Sequence, residues 1–179
     1  MTPRIALLGL SGVGKSTLIR RLAEREPILH LQASALIKAE IAHRGQPLQN
    51  SEALRTGPVV DNQVLMISAF RRAVADAAVP VVFDGHSVID GQDGLIEIPA
   101  ATFTELGLDA IFYLSADPHV IAARRLKDTG RERPMRDADT LAVHQTIASA
   151  AAQKVAEQIG CTFVPITERD LERIEASFR

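Results

Sequence analysis

The stretch Gly9-Leu-Ser-Gly-Val-Gly-Lys-Ser16 constrains the fold of this chain most, because it joins an apolar run to a helical pattern. It matches G-x-x-x-x-G-K-[ST], whose glycines permit backbone angles and close approaches that a Cβ would block. Successive N–H groups of such a loop form an anion nest at a helix N-terminus. The sequence therefore predicts a phosphate-binding loop between a buried strand and a helix. The alternative is a glycine turn that only caps a helix.

The residues of this loop have expected roles toward a bound nucleotide. Lys15 would reach the β- and γ-phosphates, the Ser16 hydroxyl would bind Mg²⁺, and Thr17 would contact the α-phosphate. The residues predicted to bind ATP are Gly9, Ser11, Gly12, Val13, Gly14, Lys15, Ser16, Thr17 and Arg124.

Five short apolar runs alternate with helical patterns along the chain. Runs that are apolar on both faces are typical of strands buried in a parallel sheet between helix layers. The alternation predicts an α/β layered fold with right-handed crossovers. The predicted strands are Arg4–Leu8, Ile28–Leu31, Val81–Phe83, Ala110–Leu114 and Thr162–Ile166.

Two helices carry start signals. Asp117 is an expected N-cap, because Pro118 follows it at the first helical position. Pro58 occupies the same kind of position before a helix whose apolar residues recur at steps of three and four. The apolar residues of that predicted face are Val60, Val64, Ile67, Phe70 and Val74.

Composition limits the class of protein. The 179 residues suit one domain, 1–179, and a hydrophobic content of 46% excludes a disordered chain. A formal net charge of −2 argues against a nucleic-acid or anionic-membrane partner. The single cysteine, Cys161, suits a reducing compartment, and we find no signal peptide or membrane-spanning stretch. We therefore expect a cytoplasmic domain.

The strand near Val81 ends in Asp84, at the position where a carboxylate linked to Mg²⁺ faces the phosphate-binding loop. The alternative is an aspartate that caps the following turn. Gly85 stands where a hydrolytic motor needs a carboxylate to polarise water. Asp84-Gly-His-Ser87 also lacks the Asp-x-x-Gly of a GTPase switch, so both of those classes are disfavoured.

Cations concentrate at 124–136, which contains five arginines and one lysine. Guanidinium groups suit phosphate oxygens, and a loop with Gly130 and Pro134 could close over a transferring phosphoryl group. The alternative is a solvated helix end, where cations complement the helix dipole. The acidic residues are expected to lie mostly elsewhere. The predicted catalytic residues are Lys15, Asp84, Arg125, Arg131 and Arg136, with Ser16 and Asp84 as ligands of Mg²⁺.

The chain resembles the archaeal-type adenylate kinases, a branch of the nucleoside monophosphate kinases, over nearly its whole length. The resemblance rests on Val81-Val-Phe-Asp-Gly-His-Ser87, on Ile121–Arg136 and on His144-Gln145 in the next helix. It implies a three-layer P-loop fold with a five-stranded parallel sheet, an acceptor-binding helical segment at 28–78 and a short lid at 124–137. It also implies transfer of the γ-phosphoryl group of Mg-ATP to a nucleoside monophosphate, principally AMP, and a small homo-oligomer.

The resemblance further implies an acceptor site. The residues assigned to it are Ser34, Lys38, Arg55 and His86. Helix capping and surface charge are the alternatives for the first three, and a hydrogen bond that fixes the turn is the alternative for His86. His144 and Gln145 are expected to orient the lid helix or to line the nucleotide pocket.

Two departures from the family bear on the acceptor. Gly85 replaces a hydroxyl residue, and the alanine-rich Ala148–Ala152 replaces a segment that offers Asn and Arg. A kinase for another nucleotide or for a hydroxyl metabolite therefore stays open, with Asp84 as the base in the second case. The alternative outside enzymes is a regulatory module that binds ATP without turnover, which the arginines of the lid argue against.

Overall fold

The computed structural model describes residues 2–45, 59–91, 94–128 and 134–179. In chain order its elements are β1 (Arg4–Leu8), α1 (Lys15–Ala23), β2 (Leu29–Gln32), α2 (Ala33–His43), α3 (Val59–Val74), β3 (Val81–Asp84), β4 (Val88–Gly91), β5 (Gly94–Glu97), α4 (Ala100–Thr104), β6 (Ala110–Leu114), α5 (Pro118–Lys127), α6 (Ala138–Ile159), β7 (Thr162–Ile166) and α7 (Leu171–Ala176).

The central sheet has five parallel strands in the order β2-β3-β1-β6-β7. The predicted strands are confirmed, with each boundary within one residue of its expected place. β6 is buried along its whole length, and Ile5–Leu8 of β1 are at most 1% exposed. This burial on both faces is the physical reason for apolar runs without alternation. The predicted α/β fold class is confirmed.

An antiparallel hairpin, β4–β5, lies outside this sheet and was not predicted. Its strands pair from Val88 with Glu97 to Gly91 with Gly94. Only two residues separate the paired glycines, which is the commonest length of a hairpin connection. The hairpin matters because it follows β3 closely and carries Asp90 towards the glycine loop.

The helix signals are confirmed in part. Asp117 caps α5 by accepting a hydrogen bond from the His119 N–H at 2.8 Å. In α3 Phe70 and Val74 are buried as expected, but Val64 is 57% exposed, so that part of the predicted face is wrong. The buried stripe runs instead through Met66 and Ala69, one helical turn apart on the side that faces the core. Pro58 lies outside the described residues. Within the described residues, none of the helices is long and apolar enough to cross a membrane.

A buried carboxylate fastens α2 to α3. Glu40 of α2 is 2% exposed and accepts hydrogen bonds from Arg72 Nη2 at 2.7 Å, Arg44 Nε at 2.8 Å and Ser68 Oγ at 3.0 Å. The hydrogen bonds from Arg72 and Arg44 lower the pKa of Glu40 to about 2. Since two of these donors belong to α3, the ionised carboxylate holds the two helices together.

Replacement Glu40→Gln should destabilise the protein by about 2–3 kcal/mol near pH 7, because two charge-assisted hydrogen bonds are lost. Glu40 titrates at about 2 in the folded chain, below its ordinary value of 4.5. Its contribution is therefore fully present above about pH 4.5 and is lost as the pH falls towards about 2. Urea unfolding of both proteins across this range should show the difference shrink in acid. A difference that is constant with pH would contradict this account.

Candidate functional site

The site lies at the carboxyl ends of the central strands. β1 pairs with β3 on one side and β6 on the other, so the chain leaving β1 enters the crevice between them. Leu7 is in register with Asp84, the last residue of β3. The glycine loop and the predicted Mg²⁺ ligand therefore lie side by side, as a direct result of strand pairing.

The backbone of the loop has the form that an anion nest requires. Gly12 and Gly14 have φ of 88° and 114°, whereas Ser11 and Val13 have negative φ, so the sign alternates along the loop. Gly14 is the N-cap of α1. At Gly9 a Cβ would lie 2.6 Å from the carbonyl oxygen of Leu114, so only glycine fits where β1 passes β6.

Lys15 and Asp84 form a buried pair of opposite charges. Lys15 Nζ lies 3.8 Å from Asp84 Oδ1 and donates a hydrogen bond to the carbonyl of Gly9 at 3.0 Å. The two residues are 7% and 4% exposed. Burial opposes ionisation of Asp84, but contact with His30 and the charge of Lys15 together lower its pKa below the ordinary value. Asp84 is therefore an anion held ready beside the loop.

Two histidines flank this pair. His86 Nδ1 lies 2.7 Å from the carbonyl of Gly9, so this nitrogen carries the proton and donates it to the carbonyl. Burial and the nearby charge of Lys15 lower the pKa of His86 to about 3, so the ring is neutral. His30 Nε2, on β2, lies 3.5 Å from Asp84 Oδ2, and its side chain is 38% exposed.

Two arginines of α5 fasten that helix to the glycine loop. Arg124 Nη1 donates to the carbonyl of Val13 at 2.8 Å, and Arg125 Nε donates to the carbonyl of Ser11 at 2.9 Å. Arg125 is only 3% exposed, whereas the side chain of Arg124 is 41% exposed and lies 3.6 Å from Glu168. Arg125 is thus packed against the loop and is not part of a solvated helix end.

Arg136 reaches the same region through the hairpin. Its Nε and Nη2 each lie 3.3 Å from Asp90 Oδ1, and Nη2 also donates to the carbonyl of Gly91 at 3.0 Å. Asp90 Oδ2 accepts from Arg125 Nη1 at 3.1 Å. Asp90 is an exception to the expectation that the acids lie mostly elsewhere, because it stands between two of the predicted catalytic arginines.

Gln145 on α6 positions the start of α5. Its Oε1 accepts from the N–H of Ala116 at 3.0 Å, and its Nε2 donates to the carbonyl of the same residue at 2.8 Å. Ala116 lies just before the N-cap of α5, so this contact orients the helix that carries Arg124 and Arg125. Orienting that helix is one of the two roles expected for Gln145. His144 Nδ1 lies 3.8 Å from Asp90 Oδ2, which is too long for a hydrogen bond.

The remaining predicted site residues either lie at the same edge of the sheet or fall outside the described residues. Ser34 is exposed and Lys38 is half-buried, both on α2, which begins directly after Gln32, the register partner of Asp84. Ser16 and Thr17 are exposed in the first turn of α1. Arg55 and Arg131 lie outside the described residues. The Ser16 hydroxyl and the ionised Asp84 carboxylate are hard oxygen donors of the kind that Mg²⁺ takes, so these residues fit that ion.

Gly85, the departure from the family, has a steric cause. A Cβ at this position would lie 2.5 Å from Cε1 of Phe83. The Phe83 ring is 2% exposed and packs edge-on against Phe70, with ring centroids 6.0 Å apart. Because the ring cannot move without disturbing the contact between β3 and α3, the chain leaves no room for a side chain after Asp84.

Sequence reasoning missed His30 and Asp90. His30 is the polar residue in the predicted apolar strand Ile28–Leu31, and the strand pattern gives it no role. Asp90 could have been found from the pattern Val88-Ile-Asp-Gly-Gln-Asp-Gly-Leu-Ile-Glu97, in which two apolar runs flank a glycine-bounded pair. Which groups it would contact could not be read from that pattern.

Known proteins resemble this chain along most of its length. An adenylate kinase of Methanopyrus kandleri is 28% identical over 180 residues, which cover 98% of this chain and 93% of that protein. An adenylate kinase of Methanocaldococcus jannaschii is 27% identical over 173 residues, covering 93% and 90%. The structure of a shikimate kinase from Acinetobacter baumannii in complex with shikimate superposes with a TM-score of 0.59 at 17% identity, covering 98% of this chain and 92% of that one.

A family model described as an AAA domain matches residues 8–142. This match spans more than half of the chain, so the chain belongs to that family. The expected resemblance to archaeal adenylate kinases is confirmed. The superposed structure shows that the fold is that of a P-loop kinase.

Replacement Gly85→Ala should destabilise the protein by about 1–3 kcal/mol, because the added methyl overpacks the site of the Phe83 ring. In a Phe83→Leu background, which removes the ring, the same replacement should cost much less. Urea unfolding of the two single variants and the double variant measures this coupling. Strictly additive effects would show that the ring is not what excludes a side chain at position 85.

Proposed function

We propose that this member of the AAA domain family is an ATP-dependent small-molecule kinase that transfers the γ-phosphoryl group of Mg-ATP to a nucleoside monophosphate, with AMP as acceptor. The observation that carries the proposal is the buried pair of Lys15 and Asp84 beside the glycine loop. Phosphoryl transfer needs a cation that binds phosphate oxygens and an anion that binds Mg²⁺ at one place. The archaeal adenylate kinases that match most of the chain support the same acceptor.

In the proposed reaction an acceptor phosphate oxygen forms a bond to the γ-phosphorus while the bond from that phosphorus to the ADP oxygen breaks, which yields two ADP. Lys15 donates to the Gly9 carbonyl in this structure, and a phosphate oxygen would replace that carbonyl as its acceptor. The guanidinium groups of Arg124, Arg125 and Arg136 would stabilise the negative charge, since the first two contact the loop and the third is joined to Arg125 through Asp90. Arg131 is proposed to add to this group.

Ser16 and Asp84 would hold Mg²⁺. When bound, this ion would neutralise part of the charge on the transferring phosphates. Asp84 meets Lys15 and His30 only at 3.8 and 3.5 Å, distances longer than direct hydrogen bonds. Towards the described part of the chain, its oxygens therefore make no short contacts that a metal or its bound water would have to break.

The two acceptor classes differ in the proton that must be removed. A hydroxyl must lose its proton as it attacks, and the ionised carboxylate of Asp84 could accept it. A nucleoside monophosphate presents an oxygen that is already ionised and needs no base. The archaeal adenylate kinases that match the chain are what favours the nucleoside monophosphate.

We also propose how the chain is divided within a single domain, 1–179. Residues 28–78 would bind the acceptor through Ser34, Lys38 and Arg55, with His86 at the opposite wall. Residues 124–137 would form the lid over the phosphates. The position of Ser34 supports this arrangement, since it lies two residues after Gln32, the register partner of Asp84. The proposed location of the enzyme is the cytoplasm.

The acceptor is tested by a coupled assay with Mg-ATP against nucleoside monophosphates and hydroxyl metabolites. We expect formation of ADP with AMP and little turnover with hydroxyl compounds. Turnover with hydroxyl metabolites alone would contradict the proposal. Tight binding of ATP without phosphorylation of any acceptor would instead identify a regulatory module.

Replacement Lys15→Ala should lower turnover by about 100-fold or more, because the cation nearest the transferring phosphoryl group is removed. Circular dichroism should show that the fold persists, since His30 still contacts Asp84. Arg20→Ala is the matched control, because Arg20 is an exposed cation on the same helix. Equal turnover in Lys15→Ala and in the control would mean that the phosphate site has been misplaced.

A further inference from the structure

We propose that Asp90 is a positioning residue that holds Arg125 and Arg136 in place beside the glycine loop. The proposal rests on the proposed function, since it requires nucleotide phosphates to bind at that loop. Asp90 belongs to the hairpin β4–β5, which is not part of the central sheet. The role proposed for this hairpin is to place the Asp90 carboxylate beside the two arginines.

Each oxygen of Asp90 faces a different arginine. Oδ2 accepts from Arg125 Nη1 at 3.1 Å, and Oδ1 lies 3.3 Å from both Nε and Nη2 of Arg136. The Asp90 side chain is 11% exposed, and that of Arg125 is 1% exposed. A buried guanidinium needs an anionic partner to offset its lost hydration, and Asp90 supplies it.

The chain of contacts continues to the loop itself. Arg125 uses Nη1 for Asp90 and Nε for the carbonyl of Ser11, which lies 2.9 Å away. Its Cγ is so close to the loop that a Cβ on Gly12 would lie 3.1 Å from it. The position of Asp90 is thereby transmitted through one rigid guanidinium to the backbone that would bind phosphate.

The charge balance of the group suits an anionic ligand. Among the described residues, two guanidinium groups share one carboxylate and keep a net positive charge, so they still attract phosphate while the repulsion between them is offset. Preorganised cations stabilise developing charge without the cost of reorientation during the reaction. Asp90 would therefore strengthen phosphate binding although its own charge repels phosphate.

The two explanations of Asp90 predict opposite changes in the affinity for Mg-ATP. If Asp90 acted only as a nearby charge, Asp90→Asn would tighten binding of Mg-ATP. Positioning predicts the opposite, a dissociation constant raised by about 10-fold or more, measured by isothermal titration calorimetry. Glu97→Gln is the matched control, because Glu97 lies on the same hairpin, its side chain is 57% exposed and its ion pair among the described residues is with surface Lys154. Its dissociation constant should equal that of the wild type.

A double-variant cycle shows whether Asp90 acts through Arg136. Arg136→Gln should weaken binding of Mg-ATP, and adding Asp90→Asn should weaken it further by less than Asp90→Asn does alone, because only Arg125 still depends on Asp90. Fully additive effects, or unchanged or tighter binding in Asp90→Asn, would overturn the proposal. A lowered unfolding temperature with unchanged binding would overturn it as well.

A second variant changes the position of the carboxylate and keeps its charge. If Asp90→Asn does not fold, Asp90→Glu keeps the charge and displaces the carboxylate by one methylene. It should weaken Mg-ATP binding, and wild-type affinity in that variant would refute positioning. Since these measurements need no acceptor, a chain that binds Mg-ATP with this dependence on Asp90 but does not phosphorylate AMP would refute the proposed function and leave the role of Asp90 standing.

Discussion

The burial of Lys15, at the start of α1, beside Asp84, at the end of β3, is the constraint on which the site depends. Two charges with little access to water need partners, and the surrounding groups supply them. The Gly9 carbonyl accepts from Lys15, and His30 contacts Asp84. The same carbonyl also accepts from the neutral His86, so one backbone oxygen ties the loop to the turn after β3. Removing water from this crevice strengthens every one of these electrostatic contacts.

The cations around the loop are organised by their partners. Arg124 and Arg125 donate to loop carbonyls, while Arg125 and Arg136 share the carboxylate of Asp90. Helix α5 therefore contacts the glycine loop directly, while the hairpin and the segment before α6 are joined to it through Asp90 and Arg125. The net charge of −2 conceals this arrangement, since it averages over a group in which, among the described residues, three arginines face the two acids Asp90 and Glu168.

Much of the fold could be predicted from the sequence, because its signals are local or periodic. The five strands are apolar on both faces since the sheet is covered on both sides, and Asp117 with Pro118 marks the start of α5. The hairpin escaped prediction because its strands are short and half-buried, so their apolar pattern is weak. Val64 was misplaced because a step of three or four residues fits more than one face of a helix.

The sequence by itself determined the glycine loop, the parallel sheet and the acid that ends β3, because each depends on neighbouring residues or on a regular period. Only the tertiary structure decided which groups meet those residues. His30, Asp90 and the ring of Phe83 reach the site through strand register and helix packing. Contacts between residues distant in the chain follow from how elements stack, and no local pattern encodes them. The sequence therefore shows that residue 125 is an arginine. Only the fold shows that its buried guanidinium contacts Asp90 and Ser11.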